Sequence, residues 1–179
     1  MTVRLATLTE ADAEPTARWR EAARANLRTS YVRSAEEQRE FIRSLPAHRH
    51  EYRYWAVQTE SSVAASDGTG LYAAYRLVGI AGLSPIDFEN GLAEVSLVLD
   101  PACIGKGYGG QAFELVLAEA FDHLRLEQVV AEVYQQNKAL GFWEEEAEKR
   151  GAYRTVLPKR KFSGGAYHDA IYFSFARPA

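Results

Sequence analysis

The sequence predicts a single α+β domain, and three observations carry that prediction. The chain has 179 residues and is 47% hydrophobic, enough for one ordinary core and short for two. Its apolar period is helical at first, alternates from Tyr52, turns helical again near Ala112, and alternates once more from Val129. No internal repeat and no Pro- or Gly-rich linker divides residues 1–179.

Val3 to Leu5 reads as a first strand. Thr9 with Asp12 opens a helix that continues through Trp19, Ala22, Ala23 and Leu27. Leu27 to Arg33 is an irregular connection. Ser34 and Glu37 form a Ser-x-x-Glu capping box for a second helix, which carries Phe41, Ile42 and Leu45 and stops at Pro46. Tyr52 to Gln58 alternates as a strand, Ser61 to Gly70 has loop composition, and Leu71 to Leu83 is the return strand. Pro85 to Gly91 reads as a turn, and Leu92 to Leu99 as a strand closed by Asp100-Pro101. Ala112, Phe113, Val116, Leu117, Ala120 and Phe121 mark a long helix, followed by a strand at Val129 to Tyr134. Asn137 to Arg150 is an amphipathic helix with Gly151 suited to its C-terminal cap. Tyr153 to Leu157 and Tyr167 to Phe175 form a closing hairpin around Ser163-Gly164-Gly165.

Composition narrows the function classes. A net charge of −3 argues against a nucleic-acid backbone as partner, which selects for basic excess. No apolar run approaches the roughly 20 residues of a spanning helix, and Met1 to Glu10 lacks a secretory pattern. One cysteine, Cys103, suits a buried reduced thiol, so the expectation is a soluble cytoplasmic protein. No His, Cys and acid grouping has metal spacing.

The densest chemical signal is Ile104-Gly105-Lys106-Gly107-Tyr108-Gly109-Gly110, between a strand and a long helix. Its glycines let a backbone approach a ligand closely, and the helix that follows aims its unpaired N–H groups at whatever sits over the loop. A P-loop is excluded, because Lys106 is followed by Gly107 rather than Ser or Thr. Gly107 to Ala112 satisfies the letters of a dinucleotide fingerprint. Its context fails, since the preceding loop is long and too little chain follows for further parallel strands.

The loop is similar to the pyrophosphate loop of the GNAT superfamily of acetyl-coenzyme A dependent N-acetyltransferases. Gly107 and Gly109 match its glycines, while Ile104 stands where that family has Arg or Gln. Ala93 to Leu99 resembles the family's fourth strand, and Asn137 the residue that opens its last long helix. The tail from Gly151, and Gly165 to Ala170, is similar to the branch that acetylates N-terminal amines of ribosomal proteins. The resemblance implies a mixed, mostly antiparallel central sheet flanked by about four helices, with acetyl-CoA as cosubstrate and no metal. It implies cofactor contacts from Leu97, Val98, Leu99, Ile104, Gly105, Lys106, Gly107, Tyr108, Gly109, Gly110 and Asn137. A backbone N–H near Leu97 to Leu99 would polarise the thioester carbonyl.

Glu94 interrupts an otherwise apolar strand and resembles the family's general base. A solvent-facing polar position in an alternating strand accounts for the same residue. The family often places a Tyr seven residues after the helix-opening Asn; here that position is Glu144. Tyr134 and Tyr153 are substitutes for the proton donor, although packing also explains both. Tyr31 and Arg33, with Arg28, lie on the connection that the family uses as an acceptor wall. There a carboxylate, a peptide main chain or a phosphate would pair with the arginines. Lys159-Arg160-Lys161 reads as a solvated hairpin turn. The expected acceptor is a protein N-terminus or a small amine, with a homodimer left open. Alternatives are an acetyltransferase for an amino-sugar nucleotide, a non-catalytic acyl-CoA-sensing module and, more distantly, a nucleotide-dependent oxidoreductase.

Overall fold

The structure, a computed structural model, describes residues 2–28, 31, 33–64 and 71–178. Seven strands form one sheet in the order β1-β2-β3-β4-β5-β7-β6. They are β1 (Val3–Thr7), β2 (Arg53–Ala64), β3 (Leu71–Asp87), β4 (Leu92–Leu99), β5 (Gln128–Tyr134), β6 (Tyr153–Ser163) and β7 (Ala166–Ala176). Every neighbouring pair is antiparallel except β4 with β5. The helices are α1 (Ala13–Ala22), α2 (Ala35–Ser44), α3 (Tyr108–Ala118) and α4 (Leu140–Arg150).

Local signals set the helix starts. The side chain of Thr9 and that of Asp12 form a reciprocal cap, but it opens a single 3₁₀ turn, Glu10–Asp12, from which α1 continues. Ser34 accepts from the Glu37 N–H at 3.2 Å while Glu37 accepts from the Ser34 N–H at 2.7 Å. Such a cap is worth about 1 kcal/mol. α1 ends at Ala22, and a 3₁₀ turn, Arg24–Asn26, replaces the expected last turn. α3 passes into one π-helical turn, Glu119–His123.

Two hydrophobic layers sandwich the sheet. On one face Phe113 and Val116 of α3 and Trp143 of α4 pack on Phe173 and Phe175. On the other, Ala13 of α1 and Ile42 of α2 cover Ala56, Ile80 and Val98. Phe113 meets Trp143 and Phe175 edge-on, with ring centroids 5.1 and 4.9 Å apart. Losing such a buried ring typically costs about 3–5 kcal/mol.

Three further sequence expectations are corrected. Residues 61–64 continue β2 rather than starting a loop; residues 65–70 lie outside the described residues. Pro85 does not start a turn: β3 runs on to Asp87, because Ser84 and Pro85 together oppose Glu94 in a bulge, where a residue without an N–H is tolerated. α4 begins at Leu140, not Asn137. Asn137 Oδ1 accepts from the Ala139 N–H at 2.9 Å and shapes the turn before the helix. No described helix is long and apolar enough to cross a membrane.

Candidate active site

The distinctive feature of the sheet is a seam. β4 and β5 pair only from Leu92 with Gln128 to Glu94 with Val130. Beyond Glu94, β4 keeps its ladder with β3 to Leu99, while β5 pairs with β7 to Tyr134. Along Val95–Leu99, alternate residues therefore turn backbone N–H and C=O groups toward the seam with no ladder partner from β5. Ladder groups left open in this way suit an extended ligand that completes the strand.

The glycine loop stands at the end of β4. Asp100 Oδ1 accepts from the Ala102 N–H at 2.9 Å and holds the turn Pro101–Cys103. Ile104 follows in extended conformation and is 68% exposed. Gly107 is the N-cap of α3 with φ of +75°, a left-handed backbone that favours glycine. A Cβ at Gly107 would meet nothing within 4 Å. The backbone angle and an open approach, rather than crowding inside the protein, thus define that position. A Cβ at Gly109 would lie 3.5 Å from Phe142 and 3.6 Å from Leu99, so the first turn of α3, the end of β4 and the start of α4 converge there. No acidic residue occupies the first turn of α3, so its own first turn places no carboxylate against the positive end of the helix dipole.

At the other end of the seam, charge gathers. Ala93, Val95 and Leu97 pack toward α3, so Glu94 faces the α1–α2 side, as strand alternation requires. Glu132 of β5 shares that face, since its neighbours Ala131 and Val133 lie in the α3 core. Nη2 of Arg28 donates to both oxygens of Glu94, at 2.7 and 2.6 Å, and to Glu132 at 3.3 Å. Arg160 grips Glu132 with two bonds, Nε at 3.1 Å and Nη2 at 2.9 Å. Lys161 is buried, donates to the Leu27 carbonyl at 2.6 Å and stands 5.2 Å from the Tyr134 ring centroid. Burial pushes the Glu94 pKa up, and the nearby Arg28 cation only partly offsets it. Burial also raises the Tyr134 phenol, reinforced by the Glu132 charge.

The residues singled out in the sequence therefore fall into separate places. Leu97, Val98 and Leu99 line the open half of β4, and Ile104 to Gly110 form the loop above it. Asn137 sits in the turn between β5 and α4. Tyr31 and Arg33 meet each other, with Arg33 Nη2 3.3 Å from the Tyr31 hydroxyl and its guanidinium 4.6 Å over Phe41. Arg28 is the arginine of that connection on Glu94; Thr29, Ser30 and Val32 lie outside the described residues. Glu144 is exposed and pairs with Arg154 at 3.5 Å, and Tyr153 is 66% exposed on β6. Tyr134, by contrast, is buried beside the charge cluster.

Sequence reasoning missed Glu132, Arg160 and Lys161. The basic run is not a solvated turn. Between Leu157 and Lys161 the register of β6 against β7 shifts, Lys159 takes a φ of +54°, and its N–H donates to Asp169 Oδ1 at 2.9 Å. A bulge of this kind re-aims side chains, and here it accompanies the turning of Arg160 and Lys161 onto the cluster. Glu132 in an otherwise apolar strand was the available signal, the same one that marked Glu94.

The fold thus places a splayed parallel strand pair under a glycine loop and a helix N-terminus. The acetyltransferase (GNAT) domain model matches residues 2–141, and the chain belongs to that family. Solved structures agree on the fold. The ribosomal L7/L12 alpha-N-protein acetyltransferase RimL, in complex with coenzyme A, superposes with a TM-score of 0.75 at 16% identity, covering 98% of this chain and 94% of that one. Spermidine N-acetyltransferase SpeG from Vibrio cholerae gives 0.70 at 20% identity, covering 98% and 95%. The microcin self-immunity acetyltransferase MccE, in complex with acetyl-CoA and AMP, gives 0.73 at 16%, covering 98% and 93%. No curated protein matches the sequence.

Proposed function

We propose that this chain transfers the acetyl group of acetyl-CoA directly to a primary amine, with Glu94 as general base. The observation that carries the reading is the β4–β5 pairing that stops at Glu94, which sets an open strand edge between a carboxylate and a glycine loop. The backbone N–H groups of the loop and the first turn of α3 would hold the pyrophosphate. The free edge of Val95–Leu99 would take the pantetheine amides, and an N–H there would polarise the thioester carbonyl. Acetyl-CoA supplies the activated acyl group.

The chain's own groups manage the protons and the approach. An N–C bond forms as the thioester C–S bond breaks. The proton lost by the amine passes to Glu94, and the departing thiolate takes a proton from solvent or from Tyr134. A carboxylate pushed up by burial is better matched to this task than an exposed one. The residues present fit acetyl-CoA: the loop is open above Gly105 and Gly107.

Incubating the protein with acetyl-CoA and a panel of small amines and short peptides tests the reading through thiol release. Release that depends on the amine supports the enzyme. A ligand-induced thermal shift without thiol release would instead support an acyl-CoA-sensing module.

A further inference from the structure

The acceptor is the part of this reaction that the family leaves open, and Arg28 bears on it. Its guanidinium covers both oxygens of Glu94. The guanidinium competes with an incoming amine for that carboxylate. The placement is also supported from far along the chain. Lys161, 7% exposed, donates to the carbonyls of Leu27 and Arg28 at 2.6 and 3.4 Å, fixing the backbone from which the Arg28 side chain reaches the seam. A buried lysine spent on two carbonyl oxygens is a costly arrangement that persists only when geometry and packing hold it.

We propose that Arg28 is the acceptor-specificity residue of this site. Its guanidinium holds the place of the acceptor's ammonium on Glu94 and Glu132, so the site accepts simple cationic amines and disfavours acceptors carrying a carboxylate or phosphate beside the amine. This rests on reading the seam as the acetyl-transfer site. It departs from the sequence expectation that an acidic group of the acceptor pairs with Arg28 or Arg33. In the structure Nη2 of Arg28 is engaged by Glu94 and Glu132. An incoming ammonium exchanges one cation for another and leaves the local charge unchanged. An incoming carboxylate brings Glu94 and Glu132 no replacement for the displaced cation, and the remaining cations are already engaged, Arg160 by Glu132 and Lys161 by the Leu27 and Arg28 carbonyls. Lys161 is a positioning residue in this arrangement, acting through the backbone of Arg28.

The test compares butylamine with 4-aminobutanoate, by ligand-detected NMR titration against the full chain and its variants. The expected result is that butylamine binds the native chain more tightly than 4-aminobutanoate does. Arg28→Ala, by removing the resident cation, should tighten butylamine about tenfold. Lys161→Met, which frees the Arg28 backbone, should shift binding in the same direction by less, keeping the question answerable if Arg28→Ala does not fold. In turnover, Arg28→Ala should lower the KM for butylamine and leave that for acetyl-CoA where it was, a split that general loosening of the fold would not produce. Weaker or unchanged butylamine binding in both variants, no butylamine binding at all, or a native preference for 4-aminobutanoate would overturn the proposal. A chain that binds butylamine as expected but releases no thiol from acetyl-CoA refutes acetyl transfer and leaves the cation assignment standing.

Discussion

The two ends of the β4 seam are made of different materials. The end near Gly107 is built from backbone: left-handed glycine, the first N–H groups of α3 and an unpaired strand edge. The end near Glu94 is built from side chains: two carboxylates, two arginines, a lysine and a tyrosine drawn from three strands and a loop. A backbone-made site depends on conformation and is indifferent to most side chains. A side-chain-made site depends on each partner, because removing one leaves another charge unmatched.

Glu94→Gln tests the side-chain end most severely. It should lower turnover about 10²–10⁴-fold, with coenzyme A affinity unchanged by calorimetry. The pH profile gives the sign. Because burial raises the Glu94 pKa, its active carboxylate form fills as pH climbs through a value above that of an exposed glutamate. Turnover should therefore fall as pH drops through that range, and Glu94→Gln should lose that limb. Full activity in the variant would remove Glu94 from the mechanism.

At the backbone end, Gly107→Val forces a β-branched residue to φ of +75°. It also sets methyl groups over the loop, and should weaken coenzyme A binding about 100-fold, while Glu94-dependent chemistry persists at saturating acetyl-CoA. Equal affinity in a folded variant would end the loop assignment. Gly109→Ala separates fold from ligand. Its Cβ makes only ordinary contacts with Phe142 and Leu99, so the helix should gain about 0.4–1 kcal/mol in denaturant titration. It narrows the mouth of the seam, so coenzyme A should bind about tenfold more weakly. Both readouts moving in the same direction would show that the glycine serves packing alone.

Ile104→Arg should have the smallest effect. Returning a cation to an exposed position beside the loop is worth about 0.5–1 kcal/mol, seen as a few-fold tighter coenzyme A binding that fades with added salt. A large gain would mean that the loop relies on side chains after all, and would dissolve the contrast between the two ends.

What the sequence by itself determined was local. The Ser34–Glu37 cap rests on contacts between residues three positions apart, and the bounds of β4 and the glycine loop before α3 follow residue types that are read in place. The same locality misled where a neighbour in space decides the outcome. Pro85 looks like a stop until β4 opposes it with a bulge, and the basic run looks solvated until the register shift against β7, beside which Lys161 is buried and Arg160 reaches Glu132. The charge cluster lay beyond the sequence for the same reason. Arg28 is 66 residues from Glu94 and 104 from Glu132, and Lys161 is 134 from Leu27. Only the strand order, with β5 paired to β7 along its length and to β4 for three positions, brings them together. Electrostatic partners have no period or spacing along the chain, so tertiary structure alone chose which arginine meets Glu94.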